Sequence, residues 1–275
     1  MNIKNAKPLN YSKLSPLFIV LIFTLFSANC RSQTEPEAQP VLRILTFNIL
    51  HGATTKGDFD LDKIAAVINE VAPDLVALQE VDFKTHRAKQ YDLATELGIR
   101  TKMAPLFGKA MDFDGGGYGE GILTQMPIIA SQNIPLPHSP GNEPRTALAL
   151  TVELKSGDTI CFIGTHLDHK QDNTDRLLQT NKINREFSNG KIPTILAGDF
   201  NATPECEAIR NIKNFWADAS RNDLNPTFPS ANPAKKIDYI FYFPETRWKV
   251  LESRVICDSV ASDHCALFSV LKLIK

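Results

Sequence analysis

From Val41 onward the chain alternates short apolar runs with polar stretches, and most of the runs have the character of strands. VLRILTFNIL (41–50) and LVALQEV (75–81) are dense in aliphatic and β-branched residues and predict strands. Between them the spacing changes. Ile64, Val67, Ile68 and Val71 recur at helical intervals, Asp60 stands where an N-cap belongs, and Pro73 stops the helix. Further strands are predicted at GILTQMPIIA (121–130), RTALALTVEL (145–154), TICFIGTHL (159–167), PTILAGDF (193–200), KIDYIFYF (236–243), WKVLESRVI (248–256) and CALFSVLKLI (265–274), with the polar turn KSGD (155–158) closing a hairpin. Helical patterns fit Tyr91–Leu97, Asp175–Phe187 and Glu205–Lys213. Many strands with a few helices between them predict an α/β domain of two sheets packed face to face, mostly antiparallel or mixed, with helices outside. LVAL and PTILAG read as strands buried on both faces. A doubly wound parallel sheet is the competing architecture, and the hairpin-like pairs argue against it.

The N-terminal stretch stands apart from this pattern. Lys4, Lys7 and Lys13 precede the apolar run LFIVLIFTLF (17–26), and small residues lead to Cys30. The run is short for a membrane span and has the layout of an export signal. Its spacing resembles a bacterial lipoprotein signal, with cleavage before Cys30 and lipid on its thiol, although Asn29 is uncommon before such a cysteine; ordinary cleavage further on is the alternative, and a plain uncleaved anchor the bland one. RSQTEPEAQP (31–40) has no large apolar side chain to offset its ordering entropy and reads as a tether. The expected organisation is therefore a signal over 1–29, a flexible tether over 30–40 and one domain over 41–275, in the cell envelope, with the membrane as partner through Cys30.

The whole chain carries a formal charge of −1, and because residues 1–29 hold three lysines and no acid, the remainder carries −4. A weakly acidic body argues against strong non-specific binding to long nucleic acid. Of the five cysteines, Cys161, Cys206, Cys257 and Cys265 lie in the domain. Cys161 sits in an apolar run and reads as a small buried thiol. Cys257 with Cys265 is the pairing worth testing. No CxxC zinc pattern is present.

Polar residues cluster just after the apolar runs: GDFN (198–201), IDYI (237–240) and SDH (262–264) place three carboxylates, an asparagine and a histidine where strand ends can gather them around one pocket. Oxygen donors of this kind hold hard divalent cations, which neutralise a phosphoester's charge toward a nucleophile. The pattern therefore reads as a metal-dependent phosphohydrolase. Bland alternatives exist for each element, such as an Asx-turn for GDFN and a loop cap for Asp168.

Taken in order, TFNIL (46–50), LQEVD (78–82), GYGEGILT (117–124), THLD (165–168), GDFN, IDYI and SDH resemble the endonuclease/exonuclease/phosphatase superfamily, which includes DNase I-like nucleases, inositol-polyphosphate phosphatases and neutral sphingomyelinases. The resemblance implies a four-layer α/β sandwich of DNase I-like fold, with the active site at one edge and a need for Mg2+ or Mn2+. It implies Glu80 as the first metal ligand, with Asn48 and Asp263 completing or supporting that site. Asp199 orients or deprotonates the attacking water, and Asn201 holds a phosphate oxygen. Asp238 pairs with His264, whose role as base, acid or phosphate clamp stays open, and His166 protonates or steadies the leaving oxygen. Arg87, Arg145 and Tyr118 are candidate phosphate contacts, the arginines also reading as surface ion-pair partners. His51, His86, His138 and His169 receive no role. The chain departs from the pattern at Glu120 and Gln125, and a carboxylate at 120 would repel phosphate unless it faces away or binds a second cation. MDFDGGG (111–117) reads as a flexible loop. The expected activity is hydrolysis of a small or lipid-headgroup phosphoester by a monomer; a nuclease acting on DNA or RNA is the alternative, and a catalytically silent binding lipoprotein the second.

Overall fold

The computed structural model describes residues 39–188, 190, 192–220 and 226–275; the signal, nearly all of the tether, and Cys30 lie outside the described residues. Six strands form each of two sheets. In the first, β1 (Val41–Asn48), β2 (Leu75–Phe83), β3 (Ala104–Phe113), β4 (Gly116–Thr124), β11 (Trp248–Ile256) and β12 (Ala266–Leu273) run in the order β11-β12-β1-β2-β4-β3. In the second, β5 (Ile128–Leu136), β6 (Arg145–Glu153), β7 (Thr159–His166), β8 (Thr194–Asp199), β9 (Ala217–Asp218) and β10 (Asp238–Phe243) run in the order β5-β6-β7-β8-β10-β9. Each sheet has one parallel pair at its centre, β1 with β2 and β7 with β8, and antiparallel partners elsewhere.

Alternation along the strands explains why two sheets need four layers. In β1, Leu42 and Ile44 enter the core between the sheets, and Leu45 and Phe47 point the other way into a second core. Helices α1 (Leu61–Glu70) and α2 (Leu93–Thr101) cover that outer face through Ile64, Val67, Ile68 and Leu97. On the far side α3 (Thr174–Phe187) and α4 (Glu207–Lys213) cover the second sheet, where Ile183, Ile209, Ile212 and Trp216 pack on Leu196, Tyr239 and Phe241. Asp60 caps α1 by accepting from the amides of Asp62 and Lys63. Among the described residues no helix is long and apolar enough to cross a membrane.

Two sequence expectations need correction. GILTQMPIIA is not one strand: its first part ends β4 and its last part begins β5 in the other sheet. Pro127, with no N–H to give a ladder, stands at the crossing. MDFDGGG is not a free loop but the tip of the β3–β4 hairpin. Asp114 fixes that tip by accepting from the Arg87 amide (2.7 Å) and, through its carbonyl, from the His86 amide (2.9 Å). The disulfide Cys257–Cys265 is formed, and Cys161 and Cys206 are free and half-buried. Burial pushes the Cys161 thiol up to about 12, which keeps it protonated and inert.

Candidate active site

The topology collects the polar strand ends at one edge. Parallel β7 and β8 end side by side, pairing His166 with Asp199, and antiparallel β10 starts opposite the end of β8, pairing Asp238 with Asp199. In the first sheet β1 ends at Asn48, and Glu80 lies in a bulge of β2 between Leu78 and Val81, at a left-handed φ of 59°. The segment between the bonded cysteines carries Ser262, Asp263 and His264 across this edge. Ser262 donates to the Asn48 carbonyl (2.6 Å), and the Asp263 carbonyl accepts from the Ser230 amide (2.7 Å).

At the centre, His264 Nδ1 lies 3.0 Å from Asp238 Oδ2 and its Nε2 lies 3.6 Å from Asp199 Oδ2. Burial opposes a charge on this imidazole, yet the two carboxylates outweigh it and raise His264 to about 10. Asp199 moves upward as well, to about 7, through burial and the Asp238 charge, against the pull of His264. At neutral pH His264 is therefore a cation that donates to Asp238 and pairs with Asp199 by charge, and Asp199 sits near the point where it exchanges its proton.

His166 behaves oppositely. Arg145 lies with a guanidinium nitrogen 3.0 Å from His166 Nδ1 and the Asn201 side-chain nitrogen lies 2.9 Å from Nε2, so donor groups face both ring nitrogens. That Nε2 faces Asp199 Oδ2 at 3.4 Å. The Asn201 amide packs on the same ring nitrogen at 2.9 Å and donates to the Leu167 carbonyl (3.0 Å). Burial and the Arg145 charge hold His166 well below its ordinary value. A neutral imidazole can steady a leaving oxygen with its N–H; it has no extra proton to deliver near pH 7.

Glu80 is held from two sides: Asn48 Nδ2 donates to Oε1 (3.1 Å), and His51 Nδ1 lies 3.4 Å from Oε2. Burial pushes Glu80 upward, but the His51 and Asn48 hydrogen bonds outweigh it and keep the carboxyl at about 2. Asn48 also donates to Asp199 Oδ2 (3.2 Å), tying the two sheets' carboxylates together. Burial raises Asp263, which lines the same cavity.

The cavity measures about 410 Å3. Glu80, Asp199, Asp263, His166, His264, Asn201, Arg87, Arg145 and Tyr118 all line it, so nine of the sequence candidates share one wall; Asn48 and Asp238 stand behind, bonded to members of it. Neither arginine is a surface ion-pair partner. Arg145 is buried and also lies 3.4 Å from Glu143, and half-buried Arg87 grips the buried Asp82 with two bonds of 2.7 and 2.8 Å while stacking on Phe113. Glu120 does not enter the cavity wall. It is buried, Oε2 lacks a hydrogen-bond partner, and burial outweighs the nearby Arg145 to raise its carboxyl well above the usual range, so it stays neutral instead of repelling phosphate.

Four carboxylates line the cavity, with Asp82 and Asp238 bonded just behind it, against two guanidiniums and the charged His264. A phosphoester entering here meets net negative charge, and the imbalance suits a hard divalent cation on carboxylate oxygens. Asp199, Asp238 and His264 also bring one ligand atom each within 4.8 Å of one another, but the imidazolium held between these two carboxylates has no lone pair to give, which leaves the ligand role to carboxylates. The residues present fit such a cation.

Sequence reasoning missed His51, Glu143, His169 and Phe228, which with Met111 and Phe113 of the β3–β4 hairpin complete the wall. His51 follows TFNIL directly and His169 lies three positions after His166, but nothing local distinguishes them from surface histidines. Phe228 is placed only by folding, packing on His264 with ring centroids 4.8 Å apart.

Comparison with known proteins bears on the same residues. A sequence model described as Endonuclease/Exonuclease/phosphatase family matches residues 45–264. Nocturnin of Rattus norvegicus is 26% identical over 245 residues, covering 79% of this chain and 54% of nocturnin, so the chain spans about half the length of the curated relatives it matches. Among solved structures, an endonuclease/exonuclease/phosphatase from Beutenbergia cavernae superposes with a TM-score of 0.72 at 23% identity, covering 85% of this chain and 72% of that one. A mannosyl-6-phosphatase from Bacteroides thetaiotaomicron gives 0.64 at 19% identity, covering 84% and 99%.

Proposed function

The chain belongs to the endonuclease/exonuclease/phosphatase family, and from that premise we propose that it is a divalent-metal-dependent hydrolase of a small or lipid-headgroup phosphoester. Phosphoester hydrolysis is the family's chemistry. The observation that carries the reading for this chain is the convergence of Asp199, Asp238, His264, His166 and Asn201 on the cavity that Glu80 and Asp263 also enter.

In this reading Glu80 and Asp263 hold the cation, with Asn48 fixing Glu80, and the donor set suits Mg2+ or Mn2+. When bound, the cation supplies charge neutralisation and polarisation of the phosphoryl oxygens. Asp199 takes the proton of the attacking water at Oδ2, where His264 stabilises the carboxylate and Asp238 keeps the imidazole charged. The Asn201 amide and the His166 imidazole serve as donors to phosphoryl or leaving oxygens. Arg145 braces His166 through Nδ1, and Tyr118 and Arg87 line the same cavity.

A cavity of about 410 Å3 with compensated arginines suits a compact phosphoester better than a duplex, whose binding depends on many uncompensated cations. The mannosyl-6-phosphatase among the structural neighbours is consistent with a monoester. The disulfide supports an oxidising compartment, in keeping with an envelope location; lipid on Cys30 and the membrane as partner are proposed from the N-terminal sequence pattern alone. The test is hydrolysis of mannose 6-phosphate, inositol phosphates, phosphatidylcholine vesicles, plasmid DNA and RNA by the full chain with Mg2+ or Mn2+. Turnover of one small ester, abolished by chelator and by Glu80→Gln, is expected. Turnover of nucleic acid alone would replace the small-ester reading with a nuclease, and activity unchanged by Glu80→Gln would remove the metal assignment.

A further inference from the structure

His51 has no counterpart in the chemistry proposed above, yet the backbone goes to unusual lengths to place it. Leu50, His51 and Gly52 carry successive left-handed φ angles of 46°, 47° and 84°. Such angles are sparsely populated by residues with side chains and gather at sites where surrounding structure imposes them. Here the imposing contacts are visible. The Leu50 amide donates to Asn48 Oδ1 (3.1 Å), and at Gly52 any Cβ would meet Phe59 at 2.7 Å, so only glycine completes the turn. The result is a chain that leaves β1 at Asn48 and doubles back so that the His51 ring closes on Glu80.

The side of Glu80 that His51 meets is the informative part. Asn48 takes Oε1 and His51 takes Oε2, at 3.1 and 3.4 Å, so the two donors grip opposite oxygens of one carboxylate. Glu80 itself sits at a positive φ in a bulge, where the ladder does not fix its direction. Its aim depends on these two contacts. His51 is three-quarters buried and lines the cavity, beside the carboxylate and not across it.

We propose that His51 is a positioning residue for Glu80, holding the carboxylate toward the bound cation; the inference rests on the reading that Glu80 is a ligand. Hydrogen-bonded partners of metal-binding groups set the ligand's direction, and their loss weakens affinity without removing the site. The side-chain nitrogen of asparagine occupies the same place along the chain as His Nδ1, and asparagine accepts left-handed φ readily. His51→Asn therefore keeps both the donor and the backbone, whereas His51→Ala keeps neither.

The test is calorimetric titration of Mn2+ into the full chain carrying each substitution, with thermal unfolding measured in parallel without metal. Glu80→Gln is expected to lose binding, and His51→Ala to weaken it about tenfold or more, with His51→Asn staying within about threefold of the natural chain. If His51→Ala binds Mn2+ like the natural chain while Glu80→Gln loses it, the positioning role is wrong and the proposed function stands. If His51→Asn loses as much affinity as His51→Ala, the Nδ1 contact is not what matters and the inference is overturned. If Glu80→Gln itself binds normally, the metal assignment falls, and the inference with it.

Discussion

Asp199 is pulled in opposite directions, upward by burial and by Asp238, downward by His264, and settles at about 7. A base must be unprotonated to work, so kcat/KM is expected to rise as pH passes about 7 and to fall again as His264 loses its proton near 10. A pH–rate profile checks this, and in Asp199→Asn the rising limb should vanish with a loss in kcat of about a thousandfold. Arg145 offers a second residue-scale test. Removing it leaves Glu143 and the neutral Glu120 beside an unfilled buried space, so Arg145→Ala should destabilise by about 3 kcal/mol or more, read by denaturant unfolding. Arg145→Lys should recover stability better than activity, because an ammonium cannot reach His166 Nδ1 and His169 Nδ1 together as the planar fork does. Asp199, Asn201, Asp238 and His264 were legible in the sequence because each adjoins an apolar run, Asp199 and Asn201 at the end of one and Asp238 and His264 just before the next. His51, Glu143 and His169 were not, since their importance comes from what lies across the cavity from them, which local pattern does not encode.

The parallel contact of β7 with β8 sets the spacing of His166 and Asp199, and one residue makes it possible. A Cβ at Gly198 would stand 1.9 Å from the Thr165 carbonyl, a backbone atom that cannot move alone. Gly198→Ala is expected to cost more than about 3 kcal/mol, at the upper end of single substitutions, and to lower turnover of the molecules that still fold. Circular dichroism melts and specific activity check the two parts separately. Strands buried on both faces were plain in the sequence as unbroken apolar runs, β1, β2 and β8 above all. β3 was invisible because it is an edge strand, mostly exposed or half-buried, with no alternation to read. The division of GILTQMPIIA between two sheets was equally hidden, because apolar residues before and after Pro127 look continuous in sequence while their hydrogen-bond partners lie in different sheets.

At the scale of the whole molecule, the site exists only where the two sheets meet at one edge, and the segment bearing Asp263 and His264 spans them. The disulfide closes a loop of sequence separation 8 around that segment. Loop entropy alone assigns it about 2–3 kcal/mol. Replacing Cys257 and Cys265 by serine should lower the unfolding free energy by that amount and cut activity by more than the stability loss explains, since Ser262 and His264 lose their tether. Unchanged activity in the serine variant would show that the contacts to Ser230 and Asn48 suffice. The central claim is that this edge hydrolyses phosphoesters with the help of a divalent cation and Asp199. It is tested most directly by the rate at which the full chain releases phosphate or nitrophenol from mannose 6-phosphate, p-nitrophenyl phosphate and bis(p-nitrophenyl) phosphate, with Mg2+ or Mn2+ and after chelation. The account predicts turnover of at least one ester that requires metal and disappears in Asp199→Asn. Turnover that persists after chelation or in Asp199→Asn, or none on any ester with either metal, would contradict it.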